Sequence, residues 1–357
     1  MPRRHDALFP QIANFRALRR AALKAIKGKR ALPGAAAFMA DMEGECLRLE
    51  RELLSAVYRP GAYVKIELFD PKHRIVSAAP FRDRVVHHAV CAVVAPIFEA
   101  GFIANSFANR VGKGSHRAVE TYERYRDRHG FVLRCDIYRY FPAIDHAILK
   151  RDFRRRIACA HTLALLDRIV DGSNAQEPVN LHFPGDDLFA PYERRRGLPI
   201  GNLTSQFFAN LYLDRLDHFC TEALSAPYVR YVDDFALFAD DADVLADWRG
   251  RIDRFLEGRR LRLHPRKTWN APTAEPTEFL GYALAPGGRR RLPEDNVARF
   301  RGRLRALKDK LRAGALDEAE AHTRIQSWEA HAAFAQTRKL RNAVLGLKGA
   351  DGKRKPW

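Results

Sequence analysis

The stretch YVRYVDDFALFA, residues 228–239, sets two adjacent acids, Asp233 and Asp234, between two short apolar runs. YVRYV (228–232) and FALFA (235–239) are rich in aromatic and β-branched residues and predict two strands of a hairpin, with both acids at the tip. A plain two-residue hairpin turn is better served by Asn-Gly or Asp-Gly. Neighbouring carboxylates in a tight turn repel, and a divalent cation offsets that cost. Upstream, FVLRCDI (131–137) reads as another apolar strand that delivers Asp136 to its end. Taken singly, Asp233-Asp234 also fits a solvated polar turn, and Asp136 also fits a helix N-cap. Taken together, acids at the ends of neighbouring strands suit two Mg²⁺ ions about 3.5–4 Å apart, which activate a hydroxyl and stabilise a leaving pyrophosphate.

Outward from this centre the chain reads as mixed α+β with hairpins, not as an alternating βαβ sheet. Residues 1–60 are helical and basic, with FRALRRAALKAIKGKR first and one helix over FMADMEGECLRLERELLSAVY after it. YVKIELF (63–69) and HRIVSAAPF (73–81) predict a hairpin turning at Asp70-Pro71. Helices follow over RDRVVHHAVCAVVAPIFEAGF and SHRAVETYERYRDRHG, then the 131–137 strand and a helical stretch to about residue 170. Residues 171–196 read as loop. Helices are expected over about 204–224 and 241–258, strands near 261–264 and 278–284, and a basic helical segment from Pro293 to the tail GADGKRKPW.

Composition narrows the partners. The 357 residues carry 62 Lys plus Arg against 43 Asp plus Glu, a net charge of +19, with 46% apolar residues. Such a chain supports a packed core, and its charge calls for a polyanion, with nucleic acid first. No apolar run is long enough for a membrane span, the N-terminus lacks a secretory signal, and five scattered cysteines show no zinc or disulfide spacing; cytoplasm is the expected location.

Five motifs in order carry a resemblance to reverse transcriptases. RCDIYRYF (134–141) resembles motif A, GLPIGNLTSQ (197–206) motif B, YVDD (231–234) motif C, HPRKT (264–268) motif D and EFLGY (278–282) the primer-grip turn of motif E. The resemblance implies a right-hand polymerase fold with fingers, palm with an antiparallel sheet, and helical thumb. It divides the chain into an N-terminal basic extension (1–60), fingers and palm (61–290), thumb (291–345) and a basic tail (346–357). It makes the chain an RNA-directed DNA polymerase using two Mg²⁺ ions, with Mn²⁺ as a substitute. Asp136, Asp233 and the Ile137 carbonyl hold the metals, with Asp234 as supporting acid, and Lys267 serves as general acid toward pyrophosphate.

For the nucleotide, the resemblance makes Phe141 a steric gate under the sugar 2′ position, which implies deoxynucleotides. Tyr140 beside it either joins that pocket or packs inward. Arg74 and Arg82 match triphosphate clamps, a role that suits the planar guanidinium. Ile200 precedes Gly201 where many relatives have glutamine. GLPIGNLTSQFFANLYLDRLDH, APFRDRVVHHAV, NRVGKGSHRAVE and YVRYVDDF resemble the enzymes of diversity-generating retroelements, which make adenine-mutagenised cDNA from a template RNA. Those relatives work with an accessory variability protein, a basic helical-bundle oligomer. A related bacterial enzyme in phage defence and a catalytically silent RNA-binding scaffold are the alternatives; the intact Asp136, Asp233 and Asp234 argue against the scaffold.

RNA/cDNA duplex contacts are expected from three basic regions: Arg16 to Arg30 in the first helix, Arg110, Lys113 and Arg117 in the RVGKGSHR loop, and Arg301, Arg305 and Lys308 in RFRGRLRALKDKLR. Gly-Lys-Gly in that loop lacks the spacing of a P-loop. His87 and His88 are adjacent on a helix, so they read as core packing or a backbone hydrogen bond, not as a metal pair.

Overall fold

The two apolar runs around Asp233 do pair, and the central sheet is built on them. In the computed structural model, which describes residues 4–69, 73–174 and 176–346, the chain opens with a helical layer. It comprises α1 (Phe9–Ile12), α2 (Phe15–Ala25), α3 (Pro33–Ala40) and α4 (Met42–Leu54). The single helix expected across this last region is broken at Asp41, whose carboxylate accepts from Gly44 N at 3.2 Å and caps α4. Strands β1 (Val64–Leu68) and β2 (Arg74–Ala78) form the expected hairpin, with Val64 opposite Ala78; its turn at Asp70-Pro71 and the tail from residue 347 lie outside the described residues.

Next come α5 (Phe81–Glu99), α6 (Ser115–Arg126) and β3 (Phe131–Asp136), then α7 (Tyr140–Ala143), α8 (His146–Arg156), α9 (Ala160–Asp171) and α10 (Ala190–Glu193). Helix α11 (Leu203–His218) runs into a π-helical turn at Phe219–Ala223 before β4 (Tyr228–Tyr231) and β5 (Asp234–Ala239). The remainder is α12 (Ala242–Glu257), strands β6 (Trp269–Pro272), β7 (Thr277–Phe279), β8 (Tyr282–Ala285) and β9 (Arg289–Arg291), and helices α13 (Glu294–Arg312), α14 (Glu318–Ala333) and α15 (Arg338–Leu345).

Among the described residues three antiparallel sheets result: β1-β2, the central β4-β5-β3-β6, and β7-β8-β9. Period-two alternation splits the central sheet between two cores. Leu133, Cys135, Phe235 and Leu237 face a large core shared with α5, α8, α11 and α12. Val132, Val229, Ala236 and Phe238 face a second core with α6, the small sheet and α13–α14. Within α13, Val297, Phe300, Leu304 and Leu307 are the buried stripe, which leaves Arg301, Arg305 and Lys308 on exposed positions.

Two strand expectations need correction. The strand expected near 278–284 is instead the β7–β8 hairpin, broken by a turn at residues 280–281. The segment near 261–264 contributes a single bridge, Ile137 to Leu263, not a strand. The sheet is instead completed by β6, an exposed edge strand that ends at Pro272, where a missing N–H is tolerated. All five cysteines are buried and unpaired, and no described helix is long and apolar enough to cross a membrane.

Candidate active site

Register brings the acids together. Asp136 closes β3 directly opposite Asp234, the first residue of β5. The hairpin turn is Val232-Asp233, not Asp233-Asp234 as the apolar runs suggested: Tyr231 pairs with Asp234, and Asp233 alone sits in the turn. Val232 takes φ +58°, a left-handed conformation that costs a β-branched residue energy and persists where the surroundings impose it.

What imposes it is buried. Arg230 is fully enclosed, donates from Nη1 to the Val232 carbonyl at 2.9 Å, and forks onto Asp217 of α11 through Nε and Nη2, both at 2.6 Å. Tyr228 donates to the same Asp217 carboxylate at 2.8 Å. The acid-bearing turn is thus tethered to α11 by a charge pair worth far more intact than with one member missing.

All three acids repel one another, but only Asp234 has an arginine of its own. Asp234 is turned to Arg134 of β3, whose Nη2 lies 2.6 Å from its Oδ1. Arg134 also donates to the Glu278 carbonyl and packs over Phe279, so it links Asp234 to the β7–β8 turn. That turn is Leu280-Gly281, both at positive φ, within EFLGY. Burial, and then the charge of Asp136, push the Asp233 carboxyl up to about 6. Asp136 Oδ2 accepts from Lys267 Nζ at 2.8 Å.

Lys267 reaches Asp136 because a flanking ladder docks its loop. Tyr138 N donates to the Arg262 carbonyl at 2.9 Å, and His264 N to the Asp136 carbonyl at 2.7 Å. Ile137 and Leu263 are therefore a non-hydrogen-bonded pair, which leaves the Ile137 carbonyl out of this ladder. Among the described residues no set of three His, Cys, Asp or Glu side chains converges as a cation cage, and Asp234 is paired with Arg134. The donor set that fits a hard divalent cation is Asp136 and Asp233: two hard oxygen ligands that repel each other, with one ammonium already drawn to the pair.

The nucleotide-pocket expectations divide. Arg139 at φ +47° turns the chain sharply out of β3 into α7. Phe141 beyond it is half-buried against Tyr140. Tyr140 itself packs inward: it is buried and its hydroxyl donates to the Ala209 carbonyl, so it does not line an open pocket. Arg74 is exposed on β2. Arg82 sits at the exit of the hairpin, in the first turn of α5, where it is paired with Glu52 and lies over Tyr58. A carboxylate in a cationic protein draws the nearest guanidinium.

Ile200 and Gly201 form a seam with the β1–β2 hairpin. Ser77 N donates to the Ile200 carbonyl at 2.9 Å. Gly201 has φ +108°, and a Cβ there would lie 2.6 Å from Val76 Cγ1. Asn202 completes the seam: its amide donates to the Ser77 carbonyl at 2.9 Å and its oxygen accepts from Ala79 N at 3.4 Å.

In the RVGKGSHR loop, Arg110 and Lys113 are spent on the loop itself. Arg110 donates to the carbonyls of Ile103 and Ser106 at 2.7 and 2.8 Å, and Lys113 to that of Ala104 at 2.7 Å. A loop without regular secondary structure needs donors for its carbonyls. Arg117, one turn into α6, is exposed. Arg134, Asn202, Asp217 and Arg230 escaped the sequence reading; for the three charged residues an arginine or aspartate at an inward-facing position of a strand or helix is the one signal, since such groups are buried only with a partner.

Residues 69–284 match the family model described as reverse transcriptase (RNA-dependent DNA polymerase). Protein YkfC of Escherichia coli strain K12 is 25% identical over 316 residues, covering 74% of this chain and 79% of that protein. Among solved structures, telomerase from Candida albicans in complex with a TWJ fragment of telomeric RNA is similar at TM-score 0.42 and 14% identity, covering 66% of this chain and 46% of that one. Apo telomerase from Candida tropicalis, truncated from its C-terminal domain, is similar at TM-score 0.46 and 13% identity, covering 65% and 55%. The chain spans about half the length of these telomerase chains. The family match covers more than half of the chain, and includes both strands that carry the acids: the chain belongs to the reverse transcriptase (RNA-dependent DNA polymerase) family and has its right-hand polymerase fold.

Proposed function

We propose that this chain copies a template RNA into DNA by metal-assisted nucleotidyl transfer, with fingers and palm over residues 61–290 and a thumb over 291–345. The observation that carries the reading is the Asp136–Asp233 pair, juxtaposed by strand register and answered by one lysine. When bound, divalent ions (Mg²⁺, with Mn²⁺ as substitute) activate the primer 3′-hydroxyl and neutralise the departing pyrophosphate. Asp136 and Asp233 hold them, with the Ile137 carbonyl beside the pair. Arg134 fixes Asp234 and keeps the β7–β8 turn against the sheet. Lys267 is placed to give a proton to the leaving oxygen. Phe141 excludes a 2′-hydroxyl, Arg74 meets the triphosphate, and the exposed Arg117, Arg301, Arg305 and Lys308 neutralise duplex phosphates.

The finer reading is an error-prone enzyme of the diversity-generating type, working with a basic helical-bundle accessory protein. Ile200, at the motif B seam, supplies no side-chain hydrogen bond to a nascent base pair, which loosens geometric selection at that pocket. The experiment is primer extension on a defined RNA template with dNTPs and Mg²⁺, followed by cDNA sequencing. The reading expects extension that Asp233→Ala abolishes, with errors concentrated opposite template adenines and reduced in Ile200→Gln. Faithful cDNA from the wild type, or an adenine error rate that Ile200→Gln leaves unchanged, contradicts it.

A further inference from the structure

Behind the motif B loop, the turn that follows α2 and the first two turns of α5 enclose a small pocket lined by Lys29, Arg84, His87, His88, Gly201, Asn202 and Leu203. Its volume of 40 Å³ is room for about three water molecules, the bulk of one tetrahedral oxyanion. No carboxylate lines it. His87 is 1% exposed, and neither of its ring nitrogens has a protein partner. A buried imidazole with both nitrogens idle is uncommon, because each unmade bond costs stability.

The fourth wall is a helix N-terminus with unused donors. Helix α11 is 16 residues long and has no side-chain cap. Asn202 holds the capping position, yet its side chain is consumed by Ser77 and Ala79. The first-turn N–H groups of α11 are thus left for a ligand, and the dipole there favours an anion. The charged neighbours acting on Lys29, His87 and His88 are Arg84, Lys24 and one another, and burial with Arg84 holds the Lys29 ammonium below its usual range. Burial and the basic neighbours push the His87 imidazole down to about 3 and lower that of His88, so these rings stand neutral; Lys29 and Arg84 are the cations, and the lining holds no acid to answer them.

We infer that this pocket binds one phosphate group of the template strand, clamped by Lys29, Arg84, His87 and His88 against the α11 N-terminus. The inference rests on the RNA-copying reading above. A template phosphodiester is favoured over the incoming triphosphate because the cavity holds a single oxyanion, and because Asp136, Asp233 and Lys267, where the triphosphate reacts, are not among its walls.

The test measures affinity of the full chain for a labelled RNA template annealed to a DNA primer, across a salt series, together with the dNTP KM. Lys29→Ala is expected to bind about tenfold more weakly, as for loss of one charge-assisted hydrogen bond. Its log–log salt slope should be shallower by about 0.7–0.9, the share of one phosphate contact. The dNTP KM should stay unchanged, and Lys29→Arg should restore binding. A thermal melt checks that each variant is folded, and Lys29→Gln serves where Lys29→Ala is not. Unaltered template affinity and slope overturn the site; unaltered affinity with a raised dNTP KM assigns the phosphate to the nucleotide and overturns the template assignment. A wild type that shows no salt-dependent template binding at all is the separate failure of the RNA-copying reading.

Discussion

Asp233 is a residue whose chemistry works against its own folding. Burial and Asp136 raise its carboxyl from an ordinary 3.8 to about 6, so between those values the folded chain keeps a proton that the unfolded chain has released. The group therefore favours folding below pH 3.8, and that contribution is lost as pH rises through about 6. Asp233→Asn should be more stable than wild type at pH 8 in a metal-free urea melt, by on the order of 1–3 kcal/mol after allowance for solvent screening, and the gap should close toward pH 4. Equal stability at pH 8 would count against the buried repulsion. Arg230 is the opposite case. Arg230→Leu leaves the Asp217 carboxylate buried without its partner, a loss of about 3–5 kcal/mol. Arg230→Lys keeps the charge but not the two-pronged grip or the Val232 tether. For Arg230→Lys, kcat should fall at least tenfold with dNTP KM nearly constant; a change confined to KM would show that the turn does not depend on this tether.

At the scale of elements, the seam of hydrogen bonds fastens the β1–β2 hairpin to the 200–202 loop. Asn202→Ala removes two hydrogen bonds and leaves the Ser77 carbonyl without that donor, at a cost of about 1–3 kcal/mol. Its dNTP KM should rise several-fold more than kcat falls, as measured by single-nucleotide incorporation; a pure kcat effect would place the seam outside nucleotide binding. Strands β3, β4 and β5 were legible in the sequence as near-continuous apolar runs, which burial on both faces demands, and β1 as an alternating one. Edge strand β6 was not: WNAP (269–272) is short, mostly exposed and ends in proline, and only its neighbour β3 makes it a strand. The single helix drawn across residue 41 failed for a local reason, a capping aspartate inside an apolar period. In the site, Asp136, Asp233 and Lys267 were legible because their motifs keep chemistry contiguous in sequence. Arg230–Asp217 and Arg134–Asp234 were not, since each pair joins residues through the fold.

At the scale of the whole molecule, the +19 charge is not spread evenly in purpose. Arg110, Lys113 and Arg82 are consumed by internal partners, whereas Arg117, Arg301 and Arg305 stand on exposed faces of α6 and α13. Arg301→Ala with Arg305→Ala should weaken template binding at low salt and flatten its salt slope by about two phosphate contacts' worth, leaving the melting temperature within a degree or two. An unchanged slope would remove α13 from the duplex track. All of this serves one claim, that Asp136 and Asp233 form a metal-dependent site for RNA-templated DNA synthesis. The most direct test is single-nucleotide incorporation into a primer on RNA, titrated with Mg²⁺, for wild type, Asp136→Asn and Asp233→Asn at matched template occupancy. The account predicts saturable Mg²⁺-dependent incorporation by the wild type and a loss of at least a thousandfold in both variants with template affinity retained. Incorporation by either variant near the wild-type rate would contradict it.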